Sequence, residues 1–274
     1  MTSHVSGTLK RFALAVALLL CATTALAFDH QHSAWTQFLR KHVTLINNGN
    51  GSQIHYQGAL EDRAALKAYL QTLGDVTPAQ FEQFSKPEQL AFLINAYNAA
   101  TVEKVLTRYP NIKSIWDFGR VFGNPFKDEF VRLLGKTMSL DGIEHETIRK
   151  PGVYDDPRIH FAVNCASVGC PSLREEAYTA RQLDKQLDEQ LSRFLGDRSR
   201  NRFNAAKGRL EVSKIFDWYK KDFTSGLRGI RSREEFFGRH AALLSDNADD
   251  QAKIRAGQLP IEFLDYDWAL NKRP

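Results

Sequence analysis

The sequence predicts an α+β fold: a single, predominantly helical domain with a small antiparallel sheet. The first observation is a pair of helix-start signals, Thr77-Pro78-Ala79-Gln80 and Ser85-Lys86-Pro87-Glu88, each with a capping residue, an early proline and a Gln or Glu at the third position. The second is two pairs of short segments around tight turns, at Gly135 and at Lys207-Gly208. No repeat and no Pro/Gly/Ser-rich linker divides the chain, so we expect one domain.

Helices dominate the predicted elements of the N-terminal half. Residues 32–46 carry Trp35, Phe38, Leu39 and His42 on one helical stripe. A turn cluster follows at residues 47–51, and residues 59–73 again show helical spacing of apolar side chains. The two capping signals then open a short helix and a longer one that continues to about Arg108.

The second half mixes short strands with helices. The predicted elements are strands at 130–134 and 136–140, a short helix capped by Asp141 and ended by Pro151-Gly152, an undecided apolar segment at 158–163, an amphipathic helix at 179–195, a hairpin of 202–204 with 209–212, a helix from Ser213 to Phe223, a helix capped by Ser232, and a strand at 261–266. These short strands supply the small antiparallel sheet.

Composition narrows the class of protein. The chain has 274 residues, 43% hydrophobic and 25% charged, which excludes a disordered chain. The formal net charge of +5 is a mild basic bias, without a block of like charges or a basic stripe interleaved with aromatic residues. We therefore predict no nucleic-acid partner.

The N-terminus has the pattern of a cleaved signal peptide. Lys10 and Arg11 precede an apolar segment at 12–22 and a small-residue site that ends at Ala27. Eleven apolar residues are too few to cross a bilayer, which needs about 20. We expect a signal peptide at 1–27 and a globular domain at 28–274, periplasmic or secreted and without stable membrane insertion after cleavage.

Cys165 is the leading candidate for a reactive group. It precedes Ala166, Ser167 and Gly169, small residues that would let backbone N–H groups approach a bound oxygen or stabilise a thiolate. Two alternatives stay open. An oxidising compartment favours a disulfide or redox pair with Cys170, and the thiol can also be inert and buried.

A nucleophilic cysteine needs a general base, and two histidines are candidates. His145 follows Asp141 by four residues, so a helix would place both on one face and Asp141 would orient the imidazole. Glu144 is an alternative orienting group. His160 is nearest to Cys165 in sequence but needs a bend in the chain to reach it. A solvated His145 among acidic residues is the structural alternative.

Asn95 and Asn98 lie three residues apart in a segment that is apolar nearly all round, and so we expect them to be buried. Buried amides need hydrogen-bond partners. Their functional interpretation is to orient a histidine or donate to an oxyanion, and their structural interpretation is to tie a loop backbone to the core.

Cofactors and metals have little support in the sequence. His145, His160, Cys165 and Cys170 are four potential zinc ligands, but their spacing does not match the usual zinc motifs. No glycine-rich phosphate loop, Gly-x-Ser-x-Gly elbow or His-Glu-x-x-His motif is present. We predict neither a cofactor nor a metal.

Several longer motifs follow one another along the chain. They are Phe92-Leu93-Ile94-Asn95-Ala96-Tyr97-Asn98-Ala99, Ser139-Leu140-Asp141-Gly142-Ile143-Glu144-His145, His160-Phe161-Ala162-Val163-Asn164-Cys165 with Gly169-Cys170-Pro171, Val212-Ser213-Lys214-Ile215-Phe216, and the closing segment 263–271. In this order they resemble the domain-of-unknown-function 547 family. The resemblance implies a secreted or periplasmic single domain in bacteria.

Two functional hypotheses follow. The first is a papain- or transglutaminase-like thiol hydrolase or acyltransferase for amide or thioester bonds, with Cys165 as nucleophile and His145 as base. Papain-like enzymes have their cysteine before their histidine, so this site would be permuted or convergent. The second is a non-enzymatic periplasmic binding or scaffolding domain with a structural cysteine pair. A small molecule or a peptide is the expected substrate of the enzyme, and neither hypothesis specifies an oligomeric state.

Overall fold

The structure is a computed structural model that describes residues 28–119 and 123–273, so the predicted signal segment 1–27 lies outside the described residues. Within these ranges the chain is predominantly helical with small sheets, which confirms the α+β class. The α-helices are α1 (Ser33–His42), α2 (Tyr56–Glu61), α3 (Arg63–Gly74), α4 (Pro78–Gln83), α5 (Lys86–Leu106), α6 (Leu183–Gly196), α7 (Ile215–Trp218), α8 (Arg233–Arg239), α9 (Ala241–Leu244) and α10 (Ala248–Arg255). The strands are β1 (Val43–Ile46), β2 (Gly51–Ile54), β3 (Val131–Leu133), β4 (Lys136–Met138), β5 (Arg202–Asn204), β6 (Arg209–Ser213) and β7 (Ile261–Leu264).

The first helix is shorter than predicted because its expected tail is a strand. β1 pairs antiparallel with β2, with Val43 opposite Ile54 and Ile46 opposite Gly51. The predicted turn at 47–51 connects them, with Asn47 and Asn48 at positive φ, which asparagine tolerates well. The helical prediction for 43–46 is therefore wrong, because β-branched side chains and a good turn sequence favour a hairpin there.

Helix α5 begins at the predicted capping box and forms the centre of the molecule. The Ser85 hydroxyl accepts from the Glu88 backbone N–H, and Glu88 accepts from the Ser85 N–H at 2.7 Å. The same reciprocal pair joins Thr77 and Gln80 at the start of α4. Because α5 is apolar on nearly every side, it is buried from Gln89 to Val102 without interruption.

The segment after the β3–β4 hairpin departs from an ordinary α-helix. Residues Gly142–Ile148 form a π-helix, in which the Arg149 N–H donates to the Glu144 carbonyl at 2.8 Å. The predicted capping role of Asp141 is wrong: Ser139 Oγ accepts the Gly142 N–H instead, at 3.0 Å. The undecided segment near residue 160 is a 3₁₀-helix, Pro157–Phe161.

The C-terminal part contains one mixed sheet rather than a purely antiparallel one. β5 and β6 form the predicted hairpin, but β7 pairs parallel to β6, with Val212 opposite Phe263. The predicted helix after Ser213 is divided into α7 and a 3₁₀-helix, Lys220–Phe223. Helix α6 begins at Leu183, four residues later than predicted.

Two hydrophobic clusters fill the interior. The larger one packs α1, α3 and α5 together with the two N-terminal hairpins, and the smaller one gathers phenylalanines from α6, α7 and α8. The 3₁₀-helix at 157–161 joins them, because Ile159 packs in the first cluster and Phe161 in the second. His160, between these two anchors, is therefore held firmly in place.

Within residues 28–119 and 123–273, the helices are all too short or too polar to cross a membrane.

Candidate functional site

A cavity of about 390 Å³ opens beside the junction of the two clusters. It contains two carboxylates, two imidazoles, both cysteines and a group of aromatic rings. The aromatic residues that line it are Tyr97, Trp116, Phe126, Trp218, Tyr219, Tyr266 and Trp268. Its size suits a small ligand or one amino-acid side chain with its flanking backbone.

Five of the seven predicted site residues line this cavity. They are Asp141, Glu144, His145, His160 and Cys165. The π-helix supplies Glu144 and His145, and Asp141 directly precedes it. The 3₁₀-helix supplies His160, and the turn that follows supplies Cys165. The fold thus makes the bend that His160 needs in order to share a site with Cys165.

The two cysteines form a disulfide, Cys165–Cys170, in the cavity wall. Two hydroxyl groups approach it: Ser167 Oγ lies 3.1 Å and Tyr266 OH 3.3 Å from the Cys165 sulfur. The Cys165 N–H donates to the Cys170 sulfur at 2.8 Å. In this state neither sulfur is a free thiol, and neither is available to a zinc ion.

Backbone N–H groups of the turn do not point to a ligand, in contrast to the prediction. The Ala166 N–H donates to Asn164 Oδ1 at 2.9 Å. The N–H groups of Val168 and Gly169 donate to the carbonyls of Ala269 and Asp267, each at 2.8 Å. The small size of Gly169 has a different reason, since a Cβ there would lie 2.9 Å from the Tyr266 ring. The N–H of Ala166 binds Asn164 and those of Val168 and Gly169 bind the C-terminal segment, so these three donors do not form the expected oxyanion site.

His145 sits at the cavity beside Asp141, as the four-residue spacing predicts. Its Nε2 lies 3.7 Å from Asp141 Oδ1, and its side chain is 37% exposed. Its Nδ1 lies 2.7 Å from Arg149 Nη1. Since a guanidinium can only donate, this Nδ1 is the acceptor and the ring proton sits on Nε2. The basic lone pair of His145 is thus already used by Arg149.

His160 is oriented by a residue that the sequence analysis missed, Asp222. The His160 side chain is fully buried, and its Nε2 lies 2.7 Å from Asp222 Oδ2. Burial lowers the pKa of His160 and favours the neutral ring, which donates Nε2–H to the carboxylate. The Nδ1 atom then carries the lone pair, and it has no hydrogen-bond partner among the described residues.

Arg149 completes this network on the far side of Asp222. Its Nε and Nη2 atoms donate to the two Asp222 oxygens at 2.7 and 3.0 Å. Burial alone would raise the pKa of Asp222, but hydrogen bonds from His160 and Arg149 hold it well below its usual value. Tyr219 packs between these groups, with its ring 3.7 Å from the His160 ring. His160 is therefore fixed by a charged partner and a stacked ring.

Glu144 and Asp141 are the acidic groups of the cavity. The Glu144 side chain is 5% exposed, and its Oε1 has no hydrogen-bond partner among the described residues. The phenols of Tyr97 and Tyr219 have pKa values raised by burial and by the neighbouring Glu144. Burial likewise raises the pKa of Asp141, whose side chain is 23% exposed.

Asn95 and Asn98 do not line the cavity, and their amides bind backbone instead. Asn95 donates to the Tyr178 carbonyl at 2.8 Å and accepts from the Tyr178 N–H at 3.0 Å. Asn98 does the same for the Ala162 carbonyl, at 2.9 Å, and the Asn164 N–H, at 2.8 Å. This is the structural interpretation of the pair: both tie later loops to α5.

The aromatic residues form a continuous surface at the cavity. Trp268 lies between Trp116 and Trp218, with ring centroids 5.3 and 5.7 Å away, and Tyr266 lies 4.5 Å from it. The side chains of Trp116 and Trp218 are 39% and 46% exposed. Such exposure of neighbouring large apolar side chains is typical of an interaction or ligand-binding surface. Neither this surface nor the role of Asp222 could be predicted from the sequence, because the residues that meet here come from distant parts of the chain. Single exposed tryptophans carry no local signal.

In the described part of the chain, no cluster of three or more His, Cys, Asp or Glu side chains is arranged to hold a metal ion.

A family comparison agrees with the motifs quoted above. The model of a family described as "Protein of unknown function, DUF547" matches residues 81–195 of the chain. The match includes α5, the π-helix and the disulfide, while the motifs at 212–216 and 263–271 lie beyond it. Searches of curated proteins and of solved structures found no match.

Proposed function

We propose that this chain is an exported ligand-binding domain, periplasmic or secreted, whose cavity takes a small molecule or a peptide segment. The cavity carries the proposal, because exposed aromatic rings and poorly paired carboxylates around an open space are typical of a binding site. The signal-like segment at 1–27 and the disulfide support the compartment. The Cys165–Cys170 bond is then part of the cavity wall.

Calorimetry on protein with an intact disulfide tests this proposal. The probes are four capped amino acids (Nα-acetyl, C-methylamide) with lysine, glutamate, norleucine and tryptophan side chains. We expect at least one to bind saturably, and Trp218→Ala to weaken it about tenfold through loss of one aromatic wall. Phe130→Ala is the matched control, since Phe130 is similarly exposed but lies outside this cavity. No binding by any probe, or equal loss in both variants, would contradict the proposal.

A second candidate function is the thiol hydrolase or acyltransferase, and one observation favours it. His160 has an oriented Nε2 and an unpartnered Nδ1, and it shares the cavity with Cys165. This favours His160 over His145 as the base. After reduction of the disulfide, Nδ1 would take the thiol proton and the sulfur would attack a carbonyl carbon. The proton would then pass to the leaving amine, and water would hydrolyse the thioester.

A count of free thiols separates the two functions. Protein purified from an oxidising compartment should have none if the disulfide is structural, while the enzyme requires a free Cys165 thiol of lowered pKa. In reduced protein, the enzyme hypothesis expects fast alkylation of Cys165 at neutral pH that slows in His160→Gln and persists in His145→Gln. Slow alkylation with an ordinary thiol pH profile would exclude it.

A further inference from the structure

We infer that the cavity recognises a positively charged nitrogen, an ammonium or guanidinium group on a small amine or on a peptide side chain. This inference rests on the proposed binding function. It is drawn from three features of the wall: its aromatic faces, its unpaired carboxylates and its net charge.

The aromatic surface is suited to a cation. The centroids of the Trp116, Trp218 and Tyr266 rings each lie within 6 Å of the centroid of the Trp268 ring. All four rings line the cavity. A ring face carries partial negative charge and attracts a cation within about 6 Å of its centre, most strongly for tryptophan. The same ring faces would also stack on a neutral ligand, so the aromatic residues alone do not show whether the ligand is charged.

The carboxylates of the cavity favour a cationic ligand over a neutral one. Asp141 lines the cavity without a hydrogen-bond donor among the described residues, and the Nε2 atom of His145 lies 3.7 Å from its Oδ1. Glu144 is almost completely buried, and its Oε1 is unpartnered, with the Nδ1 atoms of His145 and His160 at 3.8 and 3.9 Å. Half-buried charges without partners are costly. A ligand N–H⁺ on the more exposed Asp141 would relieve that cost, while Glu144 adds negative potential behind it.

The charges of the described wall favour a cationic ligand over an anionic one. None of the described residues that line the cavity is Lys or Arg. Arg149 is paired with Asp222, and Arg200 is paired with Asp197 and donates to the Cys170 carbonyl. Lys127 acts on Asp141 only at a distance, without an ion pair. Glu144 is partly balanced by Arg149 and by the phenols of Tyr97 and Tyr219, whereas Asp141 faces the cavity without a cation of its own, so a cation is favoured there over an anion.

Calorimetry with matched probes tests the charge directly. Capped lysine and capped norleucine have side chains of nearly the same shape, and cadaverine is a free diamine without a peptide backbone. We expect capped lysine to bind at least about tenfold more tightly than capped norleucine, as one charge-assisted contact predicts. Asp141→Asn should remove that preference and leave the norleucine affinity unchanged. Asp246→Asn makes the same charge change at a side chain that is 97% exposed and should have no effect.

The outcomes distinguish the ligand source and the two proposals. Equal binding of cadaverine and capped lysine assigns the site to free amines, and binding of capped lysine alone assigns it to a peptide side chain. If capped norleucine or capped glutamate binds with the same affinity as capped lysine, the inference of a cationic ligand is wrong, while the proposed binding function is supported. If no probe binds, both proposals fall. Should Asp141→Asn not fold, Glu144→Gln must reduce the lysine preference in the same direction.

Discussion

At the scale of single residues, buried polar side chains do most of the positioning around the cavity. Asn98 and Asn164 form a chain of amides that holds the backbone on both sides of Cys165, since Asn164 donates to the Pro171 carbonyl at 2.7 Å. Each buried amide replaces its lost hydration with backbone partners. Their role is thus to fix a loop that has little regular structure of its own.

Asn98→Ala should destabilise the fold without touching the cavity wall. It leaves the Ala162 carbonyl and the Asn164 N–H buried without partners, and we expect the free energy of unfolding to fall by about 2–3 kcal/mol. Urea unfolding measures this loss. Asn111→Ala, at an exposed asparagine, is the control and should change stability by less than about 0.5 kcal/mol. Equal effects in the two variants would show that the buried amide is not structural.

Asp222→Asn should make the protein less stable at neutral pH and alter its acid sensitivity. The pKa of Asp222 is lowered in the folded state, so its contribution is present above the unfolded pKa of about 4 and is lost as pH falls through the lower folded value. Loss of the charge leaves Arg149 without its partner and should cost about 3 kcal/mol at pH 7.

Urea unfolding of the wild type and of Asp222→Asn at pH 7 and at pH 3 tests whether the contribution of Asp222 to stability decreases on acidification. The difference between wild type and Asp222→Asn should be large at pH 7 and smaller at pH 3, where the carboxyl group of the unfolded chain is protonated while that of the folded protein is still held ionised. A difference that grows on acidification would contradict the lowered pKa. Asp246→Asn, at an exposed carboxylate, should show little difference at either pH.

At the scale of elements, local signals predicted what local physics determines. The capping boxes of α4 and α5 and the hairpin around Gly135 appear where the sequence places them, because a cap or a tight turn depends on four neighbouring residues. The helical prediction for residues 43–46 is wrong because apolar spacing in so short a segment fits either a helix or a strand. Their partner strand, β2, decides the outcome. The parallel pairing of β7 with β6 likewise depends on contacts across about 50 residues, which no local pattern encodes.

The candidate site likewise contains a part that local sequence patterns predict and a part that depends on distant contacts. The spacing of Asp141 and His145 on one helix was visible, and so was the reactive character of the segment from His160 to Cys170. Asp222 lies 62 residues from His160, and the three tryptophans of the cavity come from three separate segments. Only the tertiary fold brings them together, so their roles could not be predicted from one sequence.

Ser85→Ala should weaken α5 and, with it, the whole core. The change removes the hydroxyl that accepts from Glu88 N–H, and we expect a loss of about 1 kcal/mol in the free energy of unfolding. Thr77→Ala removes the matching cap of α4, a short helix without buried residues, and should cost less. Urea midpoints of the two variants give the comparison. A larger effect from Thr77→Ala would show that α5 does not depend on its capping box.

At the scale of the whole molecule, the cavity is closed by parts of the chain far apart in sequence. The C-terminal segment is tied to the cysteine turn by backbone bonds from Val168, Gly169 and Asn271, the last to the Ala166 carbonyl at 3.0 Å. Trp268 and Tyr266 belong to that segment, so the aromatic surface forms only when the segment is bound to the cysteine turn. The aromatic side of the cavity therefore depends on the contacts between this turn and the C-terminal segment.

The double variant Cys165→Ser/Cys170→Ser separates the role of the disulfide in stability from any role in chemistry. The bond closes only the short loop 165–170, so the chain-entropy model gives a contribution of about 2 kcal/mol, which urea unfolding should show as lost. Wild type treated with a thiol reductant should lose the same amount. Because Asp141 and the tryptophans remain, the variant should still bind capped lysine within about twofold of the wild-type affinity. Retained stability with lost binding would instead place the sulfur atoms in ligand recognition, and would return Cys165 to the centre of the site.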